Sequence, residues 1–251
     1  RILRGLNPGS PKYCGLEILS GTHLPEDWRG DLLTNDFRAN RVCRFKVTDS
    51  GSSYQAKLMP DVIRTKHVAF RPIDIKMGPD GAIYIADWYN PIIQHGEVDF
   101  RDERRDHAHG RIWRITAEGR ELSPRVDPSD LSIMELLDLL TYPEDWIRLH
   151  AKLELKTRNS DKVESGVSRW VQRQLPSDAQ YTHNRLEALW AMRAVDRLPI
   201  GLIYELCRSP DPRARAAALR VVAENTTRIP LSFKLLSAAV TDDHPRVRLE
   251  A

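Results

Sequence analysis

The sequence predicts an all-β N-terminal portion followed by an all-α C-terminal one, and three observations predict it. Up to about residue 120 the chain consists of short apolar runs punctuated by Gly, Pro and Asp. After that point apolar residues recur three and four apart, as in Ile133, Leu136, Leu137 and Leu140, the stripe of an amphipathic helix. Between the two lies LSPRVDPSD, with two prolines and then Asp130, expected to act as a linker ending in a helix cap. The expected division is therefore residues 1–120 as β structure, 121–130 as linker and 131–251 as helical repeats.

The β runs are CGLEILSG, DLLTND, RVCRFKV, SYQAKL, PIDIKM, AIYIAD and RIWRIT. Short runs with such punctuation belong to many-stranded sheets. They also repeat. Gly30–Asp36 lies over Gly81–Asp87, each a Gly turn, a short apolar strand and a terminal Asp. Each is preceded by an apolar strand (Leu16–Leu19; Ile73–Met77) and followed by a strand opening on Arg (Arg41–Val47; Arg111–Ile115). Strand, turn, strand ending in Asp, loop, strand is the order of a β-propeller blade, so about two blades are expected.

The helical half has its own repeat. R-x-x-A occurs at Arg148–Ala151, Arg185–Ala188, Arg215–Ala218 and Arg248–Ala251, about 30 to 40 residues apart. Three of the four follow a turn containing Pro and Asp. This is a HEAT-like signature, in which the turn caps the helix, Ala permits close helix approach and Arg bonds turn carbonyls or an Asp.

The string FRPIDIKMGPDGAIYIADWYNPIIQHGEVDFRDERRDHAHGRIWRIT resembles NHL-like and soluble sugar dehydrogenase-like propellers. It is closer still to a planctomycete-type membrane-bound dehydrogenase family, in which a propeller precedes HEAT repeats and a c-type haem domain. The resemblance covers roughly residues 13–120 with a specific motif, and the helical remainder more loosely. It implies a periplasmic or extracytoplasmic PQQ-dependent sugar or alcohol dehydrogenase with PQQ and calcium as cofactors. Electrons would pass to a haem domain, although no CxxCH haem motif occurs in this chain. The alternative is a non-catalytic propeller and HEAT module binding a carbohydrate or protein partner.

Chemistry is expected between Trp88 and Gly110, where the loop after the second strand far exceeds the ~2–5 residues of an ordinary hairpin. Three readings compete. A quinone site needs cations for carboxylates, an aromatic face for the ring and a base for the hydroxyl proton. Arg41, Arg71, Asp87, Trp88, Tyr89 and Arg111 are the cofactor-binding candidates, and His95 is the catalytic one. A metal site would use Asp106, His107 and His109, because H-A-H in extended form puts both imidazoles on one side. In the structural reading, Asp87 accepts backbone N–H groups and Asp102 or Asp106 pairs with Arg104, Arg105 or Arg111 to pin the loop. Asp36 favours this last reading for Asp87, since the same Asp ends a strand that has no long loop. Asp80 fits a P-D-G turn better than a calcium site.

Bulk composition narrows the partners. Lys and Arg number 38 against 35 Asp and Glu, a net charge of +3, which gives no global reason to expect nucleic acid. No apolar run is long enough for a membrane span. The three cysteines form no CxxC pair, and a Cys14–Cys43 disulfide stays open alongside three small buried thiols. The chain starts at RILRGLNPG without Met and stops inside a helical pattern, as an excerpt of a longer protein would.

Overall fold

The Gly-punctuated runs become eight strands in two antiparallel sheets, followed along the chain by eight α-helices, in a computed structural model that describes residues 12–93 and 97–251. The chain divides into two units, one running to Arg125 and one from Val126, with Ser50–Ser53 counted in the second.

The first sheet has the order β1 (Tyr13–Ile18), β2 (Leu32–Asp36), β3 (Arg41–Ser50) and β4 (Ser53–Leu58), with the short β5 (Ile63–Arg64) also on β3. The second has the order β6 (Pro72–Met77), β7 (Ile83–Asp87) and β8 (Arg111–Ile115). The repeat read in the sequence holds at the level of register. Asp36 sits opposite Arg41 in the first sheet, as Asp87 sits opposite Arg111 in the second. Both opening strands carry an irregularity near their start, between Cys14 and Leu16 and between Pro72 and Asp74. Strand β6 packs against β1 and β2, so the sheets share a core that includes Leu33, Val42, Ile75, Ile83 and Ile85. Each of these side chains is fully buried and contributes about 1.5–3 kcal/mol.

Asp80 and Gly81 close the β6–β7 turn. Gly81 has φ +76°, and a Cβ there would meet the Ser123 hydroxyl at 2.5 Å, so only glycine fits. The Asp80 carboxylate accepts the Ala82 N–H at 3.1 Å, the Tyr84 hydroxyl at 3.0 Å and the Arg114 Nη2 at 2.6 Å. Burial pushes this acid up, but those bonds outweigh it and hold its pKa below the ordinary value. Arg44, the counterpart of Arg114, pairs with Asp31 at 3.1 Å.

Cys14, Cys43 and Cys207 are all free thiols. Strand β2 lies between Cys14 on β1 and Cys43 on β3. Two strand spacings, ~9–10 Å, exceed the ~7 Å limit for a disulfide, which closes the bridge left open by spacing alone.

The second unit comprises α1 (Ile133–Asp138), α2 (Asp145–Thr157), α3 (Ser160–Gln172), α4 (Tyr181–Ala194), α5 (Ile200–Leu206), α6 (Pro212–Glu224), α7 (Ser232–Ala239) and α8 (Pro245–Glu250). The first helix is capped by Ser132 and not by Asp130. Ser132 N–H donates to Glu135 at 2.8 Å and Glu135 N–H donates back to the Ser132 hydroxyl, satisfying two helix-end donors at once. Three of the four repeat arginines reach the carbonyl six residues earlier: Arg148 to Tyr142 at 2.6 Å, Arg215 to Ser209 at 2.9 Å and Arg248 to Asp242 at 2.6 Å. Arg185 differs, donating to Val171 and pairing with Glu205. The alanines Ala151, Ala188 and Ala218 are fully buried. Helices α2, α4, α6 and α8 pack each on the next, whereas α5 and α7 share no substantial contact. No helix among the described residues is long and apolar enough to cross a membrane.

Candidate functional site

Strand β7 ends in Asp87, and the chain then turns sharply. Asp87 is buried and accepts three bonds: from the Arg71 N–H at 2.7 Å, the Tyr89 N–H at 2.9 Å and the Trp113 indole N–H at 3.0 Å. Its two oxygens therefore serve the loop and the neighbouring strand. Asp36 does the same in the first sheet, accepting from Lys12 N–H, Ala39 N–H and the Arg41 side chain.

Arg71 is also buried. Its guanidinium donates to the carbonyls of Asn90 (3.0 Å), Phe37 (2.8 Å), Arg38 (3.2 Å) and Pro91 (3.1 Å). Burial holds its pKa below the ordinary arginine value, with Asp87 opposing. A planar fork surrounded by four carbonyls is a loop clamp with little left for a ligand. Arg41 is committed elsewhere, to Asp36 at 3.1 Å and Asp61 at 3.5 Å.

Arg111 differs from both. Its guanidinium carbon lies 3.6 Å from the centroid of the Tyr89 ring and 5.7 Å from that of Trp113. Among the described residues its N–H groups have no hydrogen-bond acceptor. Tyr89 further stacks with His67 (5.8 Å between centroids) and meets His109 edge-on (6.5 Å), while Trp113 meets Phe70 edge-on (6.4 Å). The Tyr89 backbone has φ +54°, a left-handed conformation that costs about 1 kcal/mol or more. The Asp87 bond and the ring contacts hold it there. Trp113 and Trp88 remain about 40% exposed. Arginine against aromatic rings keeps its donors aligned yet open to water, which suits a carboxylate or sulfate on a flat ligand.

The residues read as metal ligands do not converge. The Asp106 carboxylate accepts the Ala108 and His109 N–H groups, each at 2.9 Å, and pairs with the His109 Nδ1 at 2.9 Å. These bonds fold residues 106–109 into a turn, so H-A-H is bent, not extended. Asp106 is thus matched with His109 and not with an arginine. The Asp106 acid lies below the ordinary aspartate range, first because of the Ala108 N–H. His107 is exposed. Among the described residues no three His, Cys, Asp or Glu side chains gather as a metal site. Asp102 pairs with Arg104 at 2.8 Å, and buried Arg105 donates to Val98 and Asp99 carbonyls, pinning the loop from within. The catalytic candidate His95 lies outside the described residues.

Of the candidates, the structure thus brings Asp87, Tyr89, Arg111 and His109 together and sets Arg41 and Arg71 into structural roles. His67, Phe70 and Trp113 join the cluster without having been singled out in the sequence. For Trp113 the signal was available: register places it opposite Ile85, on the same face as Arg111.

Residues 10–119 match a family model described as a domain of unknown function (DUF7133). That match spans the β unit and stops short of the helices. No curated protein and no solved structure matches the chain.

Proposed function

We propose that the chain is a binding module, two propeller blades followed by HEAT-like helical repeats, whose β unit holds an anionic carbohydrate against Arg111. The observation that carries this reading is the contrast among three arginines. Arg41 and Arg71 are occupied by carboxylates and carbonyls, whereas Arg111 is oriented by Tyr89 and Trp113 and its guanidinium has no acceptor among the described residues. Exposed Trp113, in contact with the Arg111 guanidinium, offers a flat apolar face for a sugar ring beside that charge. The internal repeat with matched Asp–Arg register supports blades, and the recurrent Arg-to-turn bonds support the HEAT-like reading.

The dehydrogenase reading is favoured by one feature, since an open Arg111 beside aromatic rings also suits a quinone carboxylate. The rest of the described set does not fit a PQQ and calcium pocket. Arg71 is saturated, and Asp87 has both oxygens engaged. One experiment separates the readings. Calorimetric titration of the chain with oligogalacturonate, a neutral oligosaccharide and PQQ with calcium is expected to show binding of the first alone, lost in Arg111→Gln. Binding of PQQ with dye-linked alcohol oxidation, abolished in His95→Ala, would instead establish the dehydrogenase. Binding of neither anion would sink the Arg111 site in both forms.

A further inference from the structure

Helices α5 and α7 stand apart across α6, and the gap is a groove of about 340 Å³. That is within the ~300–1,000 Å³ of ligand-binding clefts. From α7 come Lys234, Leu235 and Ala238, which share one helix face, and Leu231, the left-handed residue just before the helix, lines the same groove. Tyr204 and Arg208 line the opposite wall, and Leu219 of α6 forms the floor. Leu231 is 65% exposed although it is apolar. The Tyr204 hydroxyl is fixed on the Pro230 carbonyl at 2.6 Å, which sets that wall.

The charge of the rim is one-sided. Among the described residues, neither Arg208 nor Lys234 has an anionic partner within ion-pair distance. The acid on the groove, Asp242, is held by Arg215 through two bonds of 2.9 Å and so does not offset them. An apolar trough between two helix faces with an uncompensated basic rim selects its occupant by charge. We infer that the α5–α7 groove docks an acidic amphipathic segment of a protein partner, its apolar residues on Leu231 and Leu235 and its carboxylates toward Arg208 and Lys234. This is the helix-in-groove mode, in which apolar anchors give affinity and rim charges give register. The inference stands on the helical unit alone and is independent of the ligand at Arg111.

The test is selection of a random peptide library on the immobilised full chain, followed by anisotropy titration of the enriched peptides. Enrichment of sequences combining Asp or Glu with Leu, Ile or Phe at helical spacing is expected. Their binding should weaken about tenfold in the double variant Arg208→Glu/Lys234→Glu, and should weaken with added salt. Both sites are exposed enough to reverse without touching the core. Leu235→Glu, checked for native helical content, should abolish binding. Enrichment of basic peptides, no enrichment at all, or affinities unchanged in the double variant would each overturn the groove. Oligogalacturonate titration of the same variants keeps the two sites distinguishable, because the Arg111 site is expected to be unaffected.

Discussion

Asp36 and Asp87 end equivalent strands, and each accepts the backbone N–H of the residue that precedes its sheet's first strand, Lys12 at 3.2 Å and Arg71 at 2.7 Å. One carboxylate thereby ties the entry of a sheet to the exit of its second strand. The sequence repeat exists because this tie needs an acceptor at that place in each sheet.

Removing the tie is expected to cost stability more than function. Asp87→Ala leaves two backbone N–H groups and an indole N–H without their acceptor in a buried place, a loss of about 3 kcal/mol. Asp87→Asn keeps one acceptor oxygen but turns an amide toward donors, and should lose about half as much. Urea unfolding followed by tryptophan fluorescence measures both. A cost under ~0.5 kcal/mol for Asp87→Ala would show that the carboxylate is not a structural tie.

Arg71 and Arg111 provide a paired comparison. Arg71→Lys replaces a fork on four carbonyls by a single ammonium with three donors, so it should destabilise the fold by about 2 kcal/mol. Its folded fraction should bind oligogalacturonate like the parent. Arg111→Gln should do the opposite, with unfolding shifted by less than ~1 kcal/mol and ligand binding lost. Equal loss of binding in both, at matched folded fraction, would place the ligand on Arg71 as well.

The thiols provide a third check. Burial pushes Cys14 up to about 11, Cys43 to about 12 and Cys207 to about 11. Only the thiolate reacts readily, so native protein at pH 8 is expected to react slowly with a thiol reagent at all three positions. Unfolding in denaturant should release all three quickly. A thiol count of one after unfolding would mean that a disulfide forms despite β2 lying between Cys14 and Cys43.

What the sequence showed, and what it hid, follows from how far each interaction reaches. The Asp–Arg register and the Gly81 turn depend on residues within one strand pair, so repeating them along the chain made them visible. The long loop after Asp87 was equally visible, as a length. The duties of its arginines were not. Arg71 is clamped by carbonyls of Phe37 and Arg38 on a distant loop, and any backbone carbonyl looks the same in sequence. The Arg111 cluster draws on His67, Tyr89, His109 and Trp113, which only the sheet brings side by side. In the helical unit, Asp130 was the obvious cap by position, but Ser132 has Glu135 three residues on, and the reciprocal bond decides between them.

The last prediction concerns how the helical repeats are joined, and its sign can be worked out. Arg215 on α6 reaches two turn carbonyls, Ser209 and Pro210, and also the carboxylate of Asp242, just before α8. Asp242 additionally accepts the His244 N–H at 2.9 Å. The Arg215 bonds above all hold the Asp242 acid down to about 2, against 3.8 for an ordinary aspartate. A carboxyl whose folded pKa is depressed contributes stability that is complete above its unfolded value and disappears as pH falls through the folded one. Asp242 should therefore contribute up to about 2 kcal/mol near neutral pH, less some solvent screening, and that contribution should fade between about pH 4 and pH 2. Asp242→Asn keeps an acceptor for His244 but removes the charge. Urea unfolding of parent and variant should differ by a constant amount above pH 5, with the gap closing toward pH 2. Arg215→Met should abolish the same pH-dependent gap when combined with Asp242→Asn, because the two side chains act as one pair. A gap that persists unchanged at pH 2 would show that Asp242 joins the repeats through its shape and neutral hydrogen bonds, not through its charge.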